Sequence, residues 1–358
     1  MSEGGQRESG DSFRVFWLTL LLLNLGLIAG GAVYATQNDV ATSLAIPVVA
    51  AFLVQASLFW VPGFPQIRRW LEQRLSPAYL ALSLALASLA PYLIYAIPCG
   101  VFTWGGFAFV AGLCFLIAFI YVVAPPRSAS SSSLLPPSGP PAAAVLEWQD
   151  VVAAAALAYP WVSGLGSPFH NIYPSPGPAI PRLDYLGKLM LVALGTMAFL
   201  SLRRLPRTGY RFAISREDFL AGVRNFALFV PAGALVALST GFLRWGPQPV
   251  GSWIDAAEFA GNALGIYLAV ALPSEMYFRG VLQNLLAARL GRPQLALLIT
   301  SALFGLSHLG RGFPNWEYAA VTAVLGWFCG RAYAQRQSVV AAAVTHTLAV
   351  LARRYLFE

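Results

Sequence analysis

Apolar runs long enough to cross a bilayer recur along the whole chain. They fall at 15–35, 42–62, 78–97, 101–124, 150–163, 185–202, 221–243, 258–284, 294–309, 317–333 and 338–355. Most reach the ~20 residues that a helix needs to cross ~30 Å of hydrocarbon. The runs therefore predict an all-α fold, a polytopic transmembrane bundle of about 10–11 spanning helices. Composition agrees. Of 358 residues, 58% are hydrophobic and 11% charged, and the mean hydropathy is +0.64. A soluble chain carries roughly a quarter charged residues. The run at 150–163 is short and holds Pro160, and that at 294–309 is also short.

The net charge of +8 is not a nucleic-acid signal, because the arginines cluster in short loops between apolar runs. There they set topology and meet anionic headgroups. If all the runs span and the N-terminus is cytoplasmic, Arg68, Arg69, Arg74, Arg203, Arg204, Arg207, Arg289 and Arg292 face inward with seven others. Only Arg182, Arg244, Arg311, Arg353 and Arg354 then face outward. That bias favours a multi-pass protein of a plasma or inner membrane with its N-terminus inside. The first run exceeds the apolar core of a usual signal peptide and reads as an uncleaved anchor.

Residues 125–149 begin with a Pro/Ser-rich stretch (PPRSASSSSLLPPSGPPAAA) that reads as a flexible linker. It separates an N-terminal four-helix unit, 1–124, from a second domain at 150–358. Cys99, Cys114 and Cys329 lie in apolar contexts without CxxC spacing and read as small core residues.

Ionisable residues at membrane depth cost free energy and mark functional sites. Three apolar runs carry them: Ser274-Glu275-Met276-Tyr277-Phe278-Arg279, Phe304-Gly305-Leu306-Ser307-His308, and Thr345-His346. Glu275 and Arg279 stand four apart with the acid first, the better order for an ion pair on one helix face. Pro273 removes a backbone donor just before them and predicts a kink. A rise of 1.5 Å per residue puts Glu275 about 21 Å and His308 about 24 Å from the inner side, and His346 only about 12 Å. Glu, His and His with a water can run acid/base chemistry or hold a catalytic zinc.

These residues resemble the CPBP family of intramembrane proteases, also called the Abi or CAAX-protease family. Its core has a Glu-Glu-x-x-x-Arg helix, a Phe-x-x-x-His helix, and a later His followed four residues on by Asn or Asp. Glu275 and Arg279 match the second Glu and the Arg. Phe304 and His308 match the second motif, and His346 opens the third. The resemblance covers about 255–355. Ser274 stands where the family has its water-activating Glu, and Val350 where it has an oxyanion donor.

The resemblance implies an intramembrane endopeptidase, of glutamic or metallo type, acting on a membrane-associated peptide or protein. It assigns catalytic roles to Glu275, His308, His346 and Ser274, with Arg279, Phe304 and Val350 in support. A metal, zinc or none, would fall to Glu275, His308 and His346. The two replacements also fit a pseudoprotease that binds a membrane partner. Helix number and intramembrane polar residues fit a transporter or channel. The implied partners are the lipid bilayer and a peptide substrate, with no nucleic acid.

Overall fold

A computed structural model describes residues 3–126, 145–158, 169–180, 183–242, 244–246, 253–310 and 315–357. Most of the Pro/Ser-rich stretch, Pro160, Arg127, Arg182 and Arg311 lie outside these residues. Helices follow one another in chain order: α1 (Glu3–Gln37), α2 (Thr42–Trp60), α3 (Pro65–Arg74), α4 (Pro77–Ala96), α5 (Trp104–Val123), α6 (Trp148–Ala158) and α7 (Asp184–Met197). Then come α8 (Arg216–Ser239), α9 (253–290), α10 (Pro293–Leu306), α11 (Trp316–Arg336) and α12 (Val339–Leu356). The protein is a helical polytopic bundle, with no strand among the described residues.

Among the described residues seven helices are long and apolar enough to cross a membrane: Phe13–Gln37, Thr42–Gly63, Pro77–Ala96, Trp104–Val123, Asp184–Leu202, Arg216–Ser239 and Val339–Leu356. The other expected runs are helical in different forms. Helix α10 has 14 residues, about 21 Å of rise and short of the hydrocarbon thickness. Helix α11 carries Glu317, Arg331 and Arg336.

Local sequence sets the helix ends. The hydroxyls of Ser76, Thr103 and Ser215 accept from backbone N–H groups at the starts of α4, α5 and α8, and the Asn315 side chain does the same for α11. Each occupies an otherwise orphaned donor. Helix α9 stops at Gly291, whose φ of +62° suits glycine. Pro293 then opens α10 at a position that lacks no hydrogen bond.

Contacts divide the chain into two compact units, 1–130 with 166–204, and 131–165 with 205–358. The first unit thus takes in α7, although the linker precedes that helix in sequence. Its α2 packs on α1, α4 and α7, and α4 packs on α5. Within it, Tyr92, Tyr95, Phe169 and Tyr173 form a buried ring cluster. The second unit holds α6 and α8–α12. Helix α10 lies along α11, and α8 packs on both α11 and α12. Small residues permit those approaches. A Cβ at Gly305 would meet the Ala319 carbonyl and Ala323, and one at Gly222 would meet Val344. Such close helix contacts through small residues are the usual packing in lipid.

Candidate active site

The first motif lies on a distorted part of α9. Pro273 cannot donate to the carbonyl one turn back. The helix widens to i→i+5 hydrogen bonding on either side of it, over Tyr267–Ala271 and Met276–Gln283. Widened turns of this kind occur often at functional sites. Glu275 and Arg279 emerge there with no solvent exposure. Arg279 donates from Nε to Glu275 Oε2 at 2.9 Å, so the expected ion pair forms.

The pair is not closed on itself. Glu275 Oε1 lies 2.9 Å from His346 Nδ1, and the Ser274 hydroxyl oxygen lies 3.3 Å from the same nitrogen. Ser274 donates its proton to the Ala271 carbonyl at 3.2 Å, which leaves a lone pair to face the ring. A carboxylate can only accept, so His346 Nδ1 is the donor. In the singly protonated ring, Nε2 is then left as an acceptor. One carboxylate thus serves both a guanidinium and an imidazole, each through its own oxygen. The buried Cys329 thiol lies beside the same carboxylate. Cys329 therefore adjoins the polar cluster as well as filling the core.

His346 is held from behind. Thr345 donates to the Gly222 carbonyl at 3.0 Å and fastens α12 to α8. Ala341, Ala342 and Ala343 are fully buried and let the helices close up. Val350 sits one turn beyond His346, half-buried, and its side chain offers no hydrogen-bond donor.

His308 is held by its own helix. It follows the last turn of α10, and its Nδ1 lies 2.8 Å from the Phe304 carbonyl. A carbonyl only accepts, so this nitrogen too is the donor. Phe304 is buried at the centre of the cluster. Its ring touches His308 at 4.9 Å, His346 at 5.4 Å and Phe278 at 5.0 Å between centroids. The Arg279 guanidinium also lies against it, 5.5 Å from the centroid.

The rise count paired Glu275 with His308 and left His346 shallower. The contacts pair Glu275 with His346 instead. Counting at 1.5 Å assumes upright α-helices, whereas α9 is widened and α10 ends before His308.

Both Glu275 oxygens are engaged by protein donors, so a zinc ion shared by Glu275, His308 and His346 would have to share that carboxylate with Arg279 and His346. Among the described residues no three His, Cys, Asp or Glu side chains are grouped to hold a metal.

Three participants escape a motif reading. Arg279 donates from one terminal nitrogen to Gln283 at 3.5 Å and to Thr300 at 3.4 Å. Gln283 in turn donates to the Gly330 carbonyl at 3.2 Å. A Cβ at Gly330 would press on Gln283 and Arg279, so that approach requires glycine. Spacing carries part of this signal: 275, 279 and 283 form one i+4 row, as do 300, 304 and 308. The other terminal nitrogen of Arg279, Nη2, has no hydrogen-bond partner among the described residues.

The described fold is that of an integral membrane protein with a buried acid, base and cation in its second unit. Residues 256–352 match the family model described as Type II CAAX prenyl endopeptidase Rce1-like, and the match spans every motif residue from Ser274 to Val350. The match covers about a quarter of the chain, is to a model of the CAAX-protease type, and leaves residues 1–255 and 353–358 outside. No curated protein and no solved structure matches the chain.

Proposed function

We propose that the second unit is a CAAX-protease-like intramembrane endopeptidase that hydrolyses a peptide bond of a membrane-associated protein or peptide. The observation that carries this reading is the 2.9 Å contact of Glu275 with His346 Nδ1, buried among transmembrane helices. A carboxylate on one imidazole nitrogen fixes the ring and its tautomer, and so presents the other nitrogen as a base. Arg279 holds the carboxylate and Ser274 backs the ring. In this mechanism His346 Nε2 takes a proton from water, and the hydroxide adds to the substrate carbonyl carbon. The C–N bond then breaks and the imidazolium returns the proton to the leaving amine. General acid–base assistance of this kind is worth ~10²–10⁴-fold.

Cleavage of a fluorogenic transmembrane peptide by the purified chain in nanodiscs tests the reading. Glu275→Gln and His346→Ala should each cut turnover by ~10²-fold or more. Turnover unaffected by both changes would refute the assignment.

The position of Phe304 favours a second reading. Its ring contacts both imidazoles, while Ser274 and Val350 supply neither a carboxylate nor an oxyanion donor. A catalytically impaired protein that binds a membrane partner would show peptide binding without cleavage in the same assay.

A further inference from the structure

Arg353 occupies an unusual position at the far end of α12. Its side chain is exposed, and its guanidinium carbon lies 5.8 Å from the Phe242 ring centroid and 5.2 Å from that of Tyr318. Those two rings stack on each other at 5.0 Å with 17° between planes. Tyr318 then meets His308 edge-on at 5.1 Å. His308 touches Phe304, which touches His346. A continuous column of rings therefore leads from an exposed cation to the buried Glu275–His346 pair.

The adjacent arginine provides a contrast. Arg354 pairs with Glu258 at 3.7 Å. Arg353 has no carboxylate partner among the described residues. Two rings fix its position and leave its donor fork unneutralised. A guanidinium so held is weakly hydrated and pre-organised for two parallel hydrogen bonds to a carboxylate. A peptide always carries one such group, its own C-terminal carboxylate. His346 lies about two turns earlier on the same helix, so anchor and base keep a fixed separation.

We infer that Arg353 is a specificity-determining residue that receives the C-terminal carboxylate of the peptide. This rests on the reading of the second unit as a peptide site. The test uses the full chain in nanodiscs of neutral lipid. The probes are one apolar fluorescent peptide without Asp or Glu that ends in a free carboxylate, and its C-terminal amide twin. Binding is read by anisotropy and turnover separately.

The chain should bind the carboxylate form about 10-fold or more tighter than the amide. Arg353→Ala should erase the preference and leave amide binding unchanged. Arg353→Lys, a point charge without the fork, should keep part of it. Arg354→Ala should keep all of it. Equal affinity for the two peptides would overturn the inference, whether or not they are cleaved. So would a preference that survives Arg353→Ala in a variant with wild-type melting, or an Arg353→Ala defect seen only with anionic-lipid nanodiscs. Preferential binding without cleavage would leave the inference standing and refute the protease reading.

Discussion

In the first unit the fully buried Tyr92, Tyr95 and Tyr173 turn their hydroxyls to the Thr103 carbonyl, the Pro174 carbonyl and the Met190 sulfur. In the second, an equally buried Glu275 and Arg279 carry opposite charges and share their contacts with His346, Thr300 and Gln283. A buried phenol that loses its partner forfeits one modest hydrogen bond. A buried charge that loses its partner remains as an uncompensated ion in a low-dielectric interior. The site helix α9 is widened on both sides of Pro273, whereas the tyrosine-bearing α4 keeps its α-helical form through Pro91. The aromatic core of the first unit is thus organised by packing, and the second unit holds a buried ion pair that packing alone would not retain.

The largest expected effect tests that contrast directly. Arg279→Ala leaves Glu275 without its cation and should cost ~3–5 kcal/mol of stability. The melting temperature in detergent should fall sharply. In the first unit, Arg74 lies over the Trp70 ring at 5.1 Å and is exposed. Arg74→Ala should change melting little. Equal shifts for the two variants would break the comparison.

The two histidines come next. His346→Ala should reduce cleavage by ~10²–10⁴-fold and also lower stability, since Glu275 Oε1 loses its donor. His308→Ala should cost less stability than His346→Ala, because it removes a carbonyl hydrogen bond and ring contacts near the helix end but leaves no buried ion without its partner. A melting curve lowered more by His308→Ala than by His346→Ala would show that the ring column, not the carboxylate, organises the site.

Ser274→Glu should raise cleavage, by ~10²-fold if the new carboxylate assists as a base. Position 274 already faces His346 Nδ1. A rate that falls instead would mean that a second anion beside the Glu275–His346 pair disturbs it.

Much of this was legible in the sequence because charge is scarce in apolar runs. Glu275, Arg279, His308 and His346 stand out against their neighbours, and the Glu-Arg spacing foretold the ion pair. Helix positions followed from run length for the same reason: lipid demands ~20 apolar residues. Three features lay beyond it. The grouping of α7 with the first unit depends on contacts, and chain order does not reveal them. The widening around Pro273 alters which side chains converge, although Pro273 alone signals only a lost donor. The partner of Glu275 depended on relative depth, and a uniform rise per residue misjudged that once α9 widened and α10 ended early. Gln283 and Gly330 were hidden for another reason. A glutamine and a glycine in an apolar helix are unremarkable until a buried guanidinium lies beside them.

The smallest expected effect returns to the first unit. Tyr95 stacks on Tyr173 with ring centroids 6.0 Å apart and 12° between planes, and its hydroxyl donates to the Pro174 carbonyl at 3.1 Å. Tyr95→Phe keeps the ring and its stacking and removes only that hydroxyl. A neutral hydrogen bond contributes about 0.5–1.5 kcal/mol net, so melting should fall slightly. Cleavage should be unchanged, because no ion in the second unit depends on this phenol. Tyr95→Ala removes the ring as well and should cost ~3–5 kcal/mol through the cavity it leaves. The gap between the two variants measures how far shape outweighs hydrogen bonding in this unit. If Tyr95→Phe already cost as much as Arg279→Ala, or suppressed cleavage in a well-folded protein, the first unit would depend on its polar contacts as the second does, and the division between the two would fail.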